Sequence, residues 1–451
     1  MHSHANPAGL KQSIQPKTRH VLSGWGRYPV IHADIDDVET VSRIAGLVTR
    51  PGHAIAHGNG RSYGDSALQS HIIRTIRLNK ILGFEPDSGV VTCESGILLS
   101  ELIDVFLPRG YFLTITPGTR WITVGGAIAS DVHGKNHHVS GCFSQCVIHM
   151  DVMLADGSII RCSQDTNRDL FLATCGGMGL TGVILQAAIR LRRVNSSRMI
   201  QRIIPCHDLD TVFAGFEDER QASYSVAWID CLAGGASLGR SILLTGEHAD
   251  DGQLAMPPDR TLSVPITPPG FFLNQTSVKL FNRFYYSRQK ANSGESIVSL
   301  YPFFYPLDSI ANWNRMYGRS GFTQYQCVIP KSNGPAAMQS ILTRIAASGM
   351  ASFLAVLKLF GPQNDNYLSF PLEGYTLALD FKIQKPVFAL LDELDKMVLE
   401  HGGRLYLAKD VRMAASMFAA GYPGLPAFRR LRDDHGLSSR FCSRQSIRLG
   451  I

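Results

Sequence analysis

The chain has 451 residues, of which 45% are hydrophobic and 18% charged; this excludes wholesale disorder and supplies apolar surface for two or three domains. Lysine plus arginine exceed aspartate plus glutamate by 44 − 37 = 7, a mild excess that suits an anionic ligand such as a dinucleotide, a phosphosugar or an acidic lipid surface. No dense basic run accompanies it, which excludes nucleic acid as a partner.

The nine cysteines include no C-x-x-C pair, so they are read as reduced, mostly buried thiols. The first 20 residues are polar and predict a loose arm. Met1–His4 begin without a basic stretch leading into an apolar one, and no apolar run approaches the roughly 20 residues of a membrane span. A cytoplasmic location is expected, with room for peripheral contact at the inner membrane.

From about 28 to 195 glycine-rich turns interleave with strands and short helices. The first is His57-Gly58-Asn59-Gly60-Arg61-Ser62-Tyr63-Gly64-Asp65. Its glycines permit close backbone approach, its amides can form an anion-binding nest, and Arg61 and Ser62 add donors. Tyr63 stands where a Rossmann G-x-G-x-x-G needs its third glycine. Leu99, Leu102, Ile103 and Phe106 follow at i, i+3, i+4, i+7, an amphipathic helix closing at Gly110. The second turn runs Pro117-Gly118-Thr119-Arg120, then Thr123-Val124-Gly125-Gly126-Ala127-Ile128-Ala129-Ser130.

Asp131-Val132-His133-Gly134-Lys135-Asn136-His137-His138 packs three histidines and a lysine into eight positions. No second Cys/His/Asp cluster follows at a metal-binding spacing, so no metal is expected. Ile148, Met150, Val152 and Leu154 alternate, Asp156-Gly157 turns the chain, and Ile159 and Ile160 return it as a hairpin. The third turn, Gly176-Gly177-Met178-Gly179-Leu180-Thr181-Gly182, matches G-x-G-x-x-G in letters. A helix end precedes it and a period-2 strand (Val183, Leu185, Ala187, Ile189, Leu191) follows, the reverse of the Rossmann order.

Residues 248–275 hold five prolines and predict a long mobile loop of the kind that serves as a lid. Strands are predicted at 323–330, 353–360, 375–381 and 404–409. Two helices intervene, one through Met338, Ile341, Leu342 and Ile345 to Gly349, the other from Val387 to Glu400. This order predicts an α+β arrangement, an antiparallel sheet with helices on one face. Both faces of 353–360 are apolar except for Lys358, which shares one with Leu354, Val356 and Phe360. Lys409 breaks the face of Leu405 and Leu407 in the same way, and Gln324 and Gln326 share a face with Val328. An unpaired buried ammonium is costly, so the lysines need an anion, an opening or a lowered pKa, and a shared pocket is expected. Asp410 is a possible partner of Arg412. The arginines of 428–451 (Arg429, Arg430, Arg432, Arg440, Arg444 and Arg448) are read as a solvated helical face.

The three glycine turns and the D-x-H-G-K-N-H-H segment together resemble the vanillyl-alcohol-oxidase type of FAD-binding domain, and more narrowly the decaprenylphosphoryl-β-D-ribose 2′-oxidase family. The likeness continues through Ser23–Arg27, Gln324–Gln326, Lys358–Pro362, Gly374-Tyr375 and Tyr406–Asp410, so it spans roughly 20–450. It implies an FAD-binding lobe of 20–195 completed by 404–451, and a substrate lobe of 196–403. FAD would be held by His57, Gly58, Asn59, Gly60, Arg61, Ser62, Tyr63, Gly64, Asp65, Gly118, Thr119, Thr123, Gly125, Gly126, Ser130, His133, Gly179, Ile184 and Tyr406. Many relatives bond the flavin covalently to a histidine where this chain has Tyr63, and a phenol cannot make that bond, so FAD is expected to be non-covalent. Substrate would meet Lys135, Trp228, Gln324, Gln326, Lys358, Thr376 and Ala378; Lys409, His133 and Tyr63 would carry the chemistry.

The resemblance implies oxidation of the C2 hydroxyl of a polyprenyl-phosphate pentose as the first half of an epimerisation, with a short-chain reductase as partner. Ala378, Thr376, Phe304 and Met178 replace a cysteine, an asparagine, a tyrosine and an asparagine common in the family, which bears on the substrate more than on the flavin. The competing readings are an FAD oxidase of a soluble sugar, alditol or aldonolactone, and a non-catalytic flavin- or metal-binding protein.

Overall fold

A computed structural model describes residues 19–256, 262–264, 274–350, 352 and 354–451. The polar arm up to residue 18 and the prolines of the expected 248–275 loop lie outside the described residues. Three main sheets carry the architecture. In the first, His20–Ser23, Val30–Asp37, His71–Arg74 and Ile55–His57 lie in that order, the last three mutually parallel. The second is antiparallel and has Val183–Arg193 at its centre, paired with Val90–Glu94, Val147–Met153 and Tyr111–Leu113.

Local sequence explains these elements. The apolar stripe of Leu99–Phe106 is buried, Glu101 accepts the Leu98 amide at 2.7 Å, and Gly110 ends the following turn in the left-handed region. The expected hairpin forms between Val147–Met153 and Ile159–Cys162. Ile148, however, is exposed. The register against the central strand shifts between Ala188 and Ile189, and this irregularity turns Ile148 out of the core face. The third glycine turn sits after helix Arg168–Thr174 and before strand Val183–Arg193, the non-Rossmann order expected.

The third sheet has eight strands, all antiparallel to their neighbours: Gly294–Ser299, Arg198–Cys206, Ser241–His248, Tyr224–Ile229, Ala355–Phe360, Gly374–Lys382, Phe322–Pro330 and Arg404–Leu405. Its register sets the site. Directly opposed residues share a face, so Ile242, Trp228, Val356, Ala378 and Gln326 form one row across five strands. Lys358, Thr376 and Val328 form the next, and Gln324 opposes Asp380.

Helices Leu209–Asp218, Gly334–Ser348 and Lys385–Glu400 pack on the other face, as Phe213 against Tyr375 at 4.4 Å shows. The expectation of helices on one face needs correction. The 17-residue helix Gln275–Ala291 lies over the row face, its Tyr285 ring 4.7 Å from Trp228. Its apolar residues do not form one clean stripe, so periodicity gives no warning of it.

Two further expectations change. The strand expected at 404–409 stops at Leu405, and Leu407–Lys409 is a single 3₁₀ turn. The Tyr406 amide still bonds Gln326 at the sheet edge, and the Lys409 amide then folds back onto Tyr406. The carboxy-terminal arginines are not one solvated face. Arg432 and Arg440 are buried and donate to backbone carbonyls, Arg432 to Leu180 and Phe441, Arg440 to Leu47.

Candidate active site

One cavity of about 830 Å³ runs from the three glycine turns to the row face of the eight-stranded sheet. The turns are bound to one another around it. Asn59 donates to the Trp121 carbonyl at 2.7 Å, tying the first turn to the second. Thr123 caps helix Val124–Ala129 by accepting the Gly126 amide at 3.1 Å. The amides of Gly176 and Met178 bond the carbonyls of Ile128 and Ala129, and Tyr406 donates to the Ser130 carbonyl at 2.9 Å. A Cβ at Gly58 would collide with Thr123, and one at Gly64 with the Asp410 carbonyl. The absent side chains therefore let the first turn pack between the second turn and the carboxy-terminal return.

The cavity-lining atoms Arg61 Nε, Ser66 Oγ and Ser95 Oγ are buried without a hydrogen-bond partner among the described residues. Buried polar atoms of this kind normally have partners. Their residues line the cavity at the glycine turns, and a Cβ at Gly118 would meet nothing within 4 Å. A phosphate- and hydroxyl-rich dinucleotide would offer acceptors there.

At the sheet end three lysines converge. Lys358 Nζ lies 3.5 Å from His133 Nδ1, Lys409 Nζ sits 3.7 Å from the centre of the Tyr63 ring, and Lys135 donates to the Phe303 carbonyl. Burial lowers each: Lys358 to about 8, Lys135 to about 7 and Lys409 to about 7. Lys358 adds to the lowering of the other two, while Asp380 works against it at Lys409. Asp380 is itself raised by burial and accepts Gln324 Nε2 at 2.6 Å and the Tyr317 hydroxyl at 3.3 Å.

His133 is held neutral. Burial first, then Lys358 and His137, push it well below the usual histidine value. Gln326 Nε2 stands 3.1 Å from His133 Nε2 and 3.2 Å from Thr376 Oγ1, and the Thr376 hydroxyl donates to the Cys327 carbonyl. Thr376 therefore accepts from the Gln326 amide, and the same NH₂ donates to His133 Nε2. The turn carrying His133 is fixed by Asp131, whose carboxylate accepts from the Ser144 amide, Asn364, Asn366 and Ser369.

The cavity brings together every residue singled out above for cofactor or substrate except two. Asp65 does not reach it, because its carboxylate pairs with Arg448 at 2.8 Å. Thr376 sits behind Gln326. Asp410 pairs with Arg448 at 2.8 Å rather than with the Arg412 guanidinium, which goes to Asp392 and Asp395. Asp380, which accepts from Gln324 and acts on Lys409, is the site residue that sequence reasoning missed. An acid among the apolar residues between Thr376 and Lys382 is the same anomaly that exposes Lys358 to notice.

A family model described as an FAD binding domain matches residues 29–163. The chain is 36% identical to the decaprenylphosphoryl-beta-D-ribose oxidase of Mycolicibacterium smegmatis, across 97% of this chain and 98% of that one. It belongs to the decaprenylphosphoryl-β-D-ribose oxidase family. An uncharacterized Streptomyces coelicolor protein is 32% identical over 79% of the chain and 100% of its own length. The L-gulonolactone oxidase of Mus musculus is 32% identical over only 30% of each chain. In this family setting the cofactor is FAD, and the unpartnered donors between the glycine turns fit it. The likeness to the Mycolicibacterium protein covers the lysine-lined sheet as well as the FAD-binding segment, whereas that to the lactone oxidase covers under a third of the chain.

Proposed function

We propose that the chain is an FAD-dependent oxidoreductase that oxidises the C2 hydroxyl of a polyprenyl-phosphate pentose. The supporting observation is the meeting of Lys135, Lys358 and Lys409 at one end of a cavity where Asp380 is the carboxylate set against Lys409. With Lys409 set against Asp380, Lys135 and Lys358 are the amines left over for an anion, which suits a phosphorylated sugar better than a neutral sugar or lactone. The apolar wall beyond it, with Trp228, Leu244, Phe281 and Tyr285, suits the first units of a polyprenyl chain. Residues 20–195 with 404–451 form the FAD lobe and 196–403 the substrate lobe. The keto product passes to a separate reductase that completes the epimerisation.

FAD, when bound, supplies the acceptor for the two electrons leaving C2. Lys409 takes the hydroxyl proton: burial holds it near neutrality as a base, and Asp380 stabilises the ammonium that results. His133 is not that base, because Gln326 occupies its Nε2; it positions Gln326 and stands beside Lys358. Gln326, Lys358 and Lys135 hold the sugar-phosphate end. Tyr63 remains a phenol, its pKa raised well above the usual value by burial, and packs against Lys409 without bonding FAD.

The test is anaerobic bleaching of the visible absorbance of the holoenzyme. A polyprenyl-phosphoryl ribose bleaches it within a turnover, while L-gulono-1,4-lactone and free ribose leave it yellow. Bleaching by the lactone alone defeats the reading.

A further inference from the structure

The helix Gln275–Ala291 is long, mostly exposed and unbalanced in charge. It carries Lys279, Arg283, Arg288 and Lys290 and no acidic residue. Val278 and Asn282 are buried, and Tyr285, one turn further on, packs on Trp228. With 3.6 residues per turn these three face the sheet. Leu280 and Phe284 are then on the far side, 70% and 64% exposed, with Phe281, 44% exposed, between them and the inward face. Lys279, Arg283 and Lys290 flank that ridge on its other side.

Large apolar side chains grouped on one exposed helix face mark an interaction site. Here the ridge continues into the cavity, since Val278, Phe281 and Tyr285 line its wall while Leu280 and Phe284 do not. A basic wing beside an apolar ridge is the make-up of a helix that lies in a bilayer interface. Among the described residues no helix is long and apolar enough to cross a membrane.

We infer that this helix docks the protein on an anionic lipid surface, with Leu280 and Phe284 entering the acyl boundary and the basic wing facing lipid phosphates. The cavity wall formed by the same helix then opens at the surface in which a polyprenyl chain is dissolved. The inference rests on the polyprenyl-phosphate reading for its purpose, though its test does not pass through catalysis.

The full-length holoenzyme is sedimented with phosphatidylcholine vesicles, with and without phosphatidylglycerol. It co-sediments with the phosphatidylglycerol vesicles and is released by salt. Each attached basic residue contributes about 1 kcal/mol, so Lys279→Gln with Arg283→Gln weakens binding by about tenfold or more. Leu280→Gln with Phe284→Gln weakens it comparably, and both pairs keep the FAD spectrum and turnover of a water-soluble short-chain substrate. In Phe284→Trp, added vesicles shift the emission to the blue relative to wild type, which serves if a double variant does not fold. No partition into vesicles, partition that neither pair weakens, or a wild-type dimer that Leu280→Gln with Phe284→Gln dissolves would each overturn the inference. Failure of the short-chain substrate to react, with vesicle binding intact, counts against the proposed function instead.

Discussion

Lys409 and Lys358 share a cavity and a cost of burial, but their geometry separates their tasks. Lys409 lies against Tyr63 with Asp380 as its counter-charge, whereas Lys358 touches His133. Removing a general base typically costs about 10²–10⁴ in rate, so Lys409→Ala retains FAD yet loses at least about 10²-fold in single-turnover bleaching. The sign of the pH dependence follows from the lowered pKa. A base must be neutral, so in wild type the bleaching rate climbs as Lys409 loses its proton, at a pH well below that of an ordinary lysine, and then levels. A lysine acting only as a fixed cation gives the opposite slope over that window. Lys358→Ala loses a charged contact worth roughly 1.5–3 kcal/mol, so KM rises by about tenfold or more while the FAD spectrum stays unchanged. Both lysines are legible in sequence as charges on apolar periods. Asp380 is legible by the same rule, but its pairing with Gln324 depends on sheet register, which no local pattern states.

At the level of elements, the 3₁₀ turn Leu407–Lys409 depends on the last helix of the chain. Arg448, on helix Arg444–Leu449, bonds Asp65 of the first glycine turn and Asp410 beside Lys409, each at 2.8 Å. Arg448→Met leaves two buried carboxylates facing each other without a cation. It is expected to lower the urea midpoint by an amount equivalent to about 1–3 kcal/mol and to loosen FAD, with partial recovery in Arg448→Lys. FAD retained on a desalting column as in wild type, together with an unchanged midpoint, removes this positioning role. The helices Leu99–Phe106, Gly334–Ser348 and Lys385–Glu400 are readable because each buries one clean stripe. Helix Gln275–Ala291 is not, because part of its apolar surface points outward. The arginines 432, 440 and 448 look like a solvated face in sequence because spacing cannot show that carbonyls and carboxylates from distant segments wait for them.

For the molecule as a whole, the cofactor turns are local in sequence and the substrate face is not. The glycine turns, their order relative to helix and strand, and the α+β class are legible because each rests on neighbouring residues. The row Trp228, Val356, Ala378 and Gln326 comes from four separate strands; period-2 reading marks Gln326 and the face of Val356, and only the family resemblance marks Trp228 and Ala378 beforehand. With Tyr63 in place of a bonding histidine, all of the FAD is expected to leave the protein on acid precipitation. Yellow colour in the washed pellet contradicts that.

The Tyr63 amide bonds the Ala408 carbonyl, and the Gly64 backbone lies against Asp410. The cofactor pocket is therefore closed by a segment that leaves the ribosome long after the first glycine turn does. The glycine-rich half emerges first and has to persist with its pocket open on one side. A chain cut short before residue 404 carries the glycine turns but lacks the segment packed against the first of them, and it is expected to lose the flavin on a desalting column.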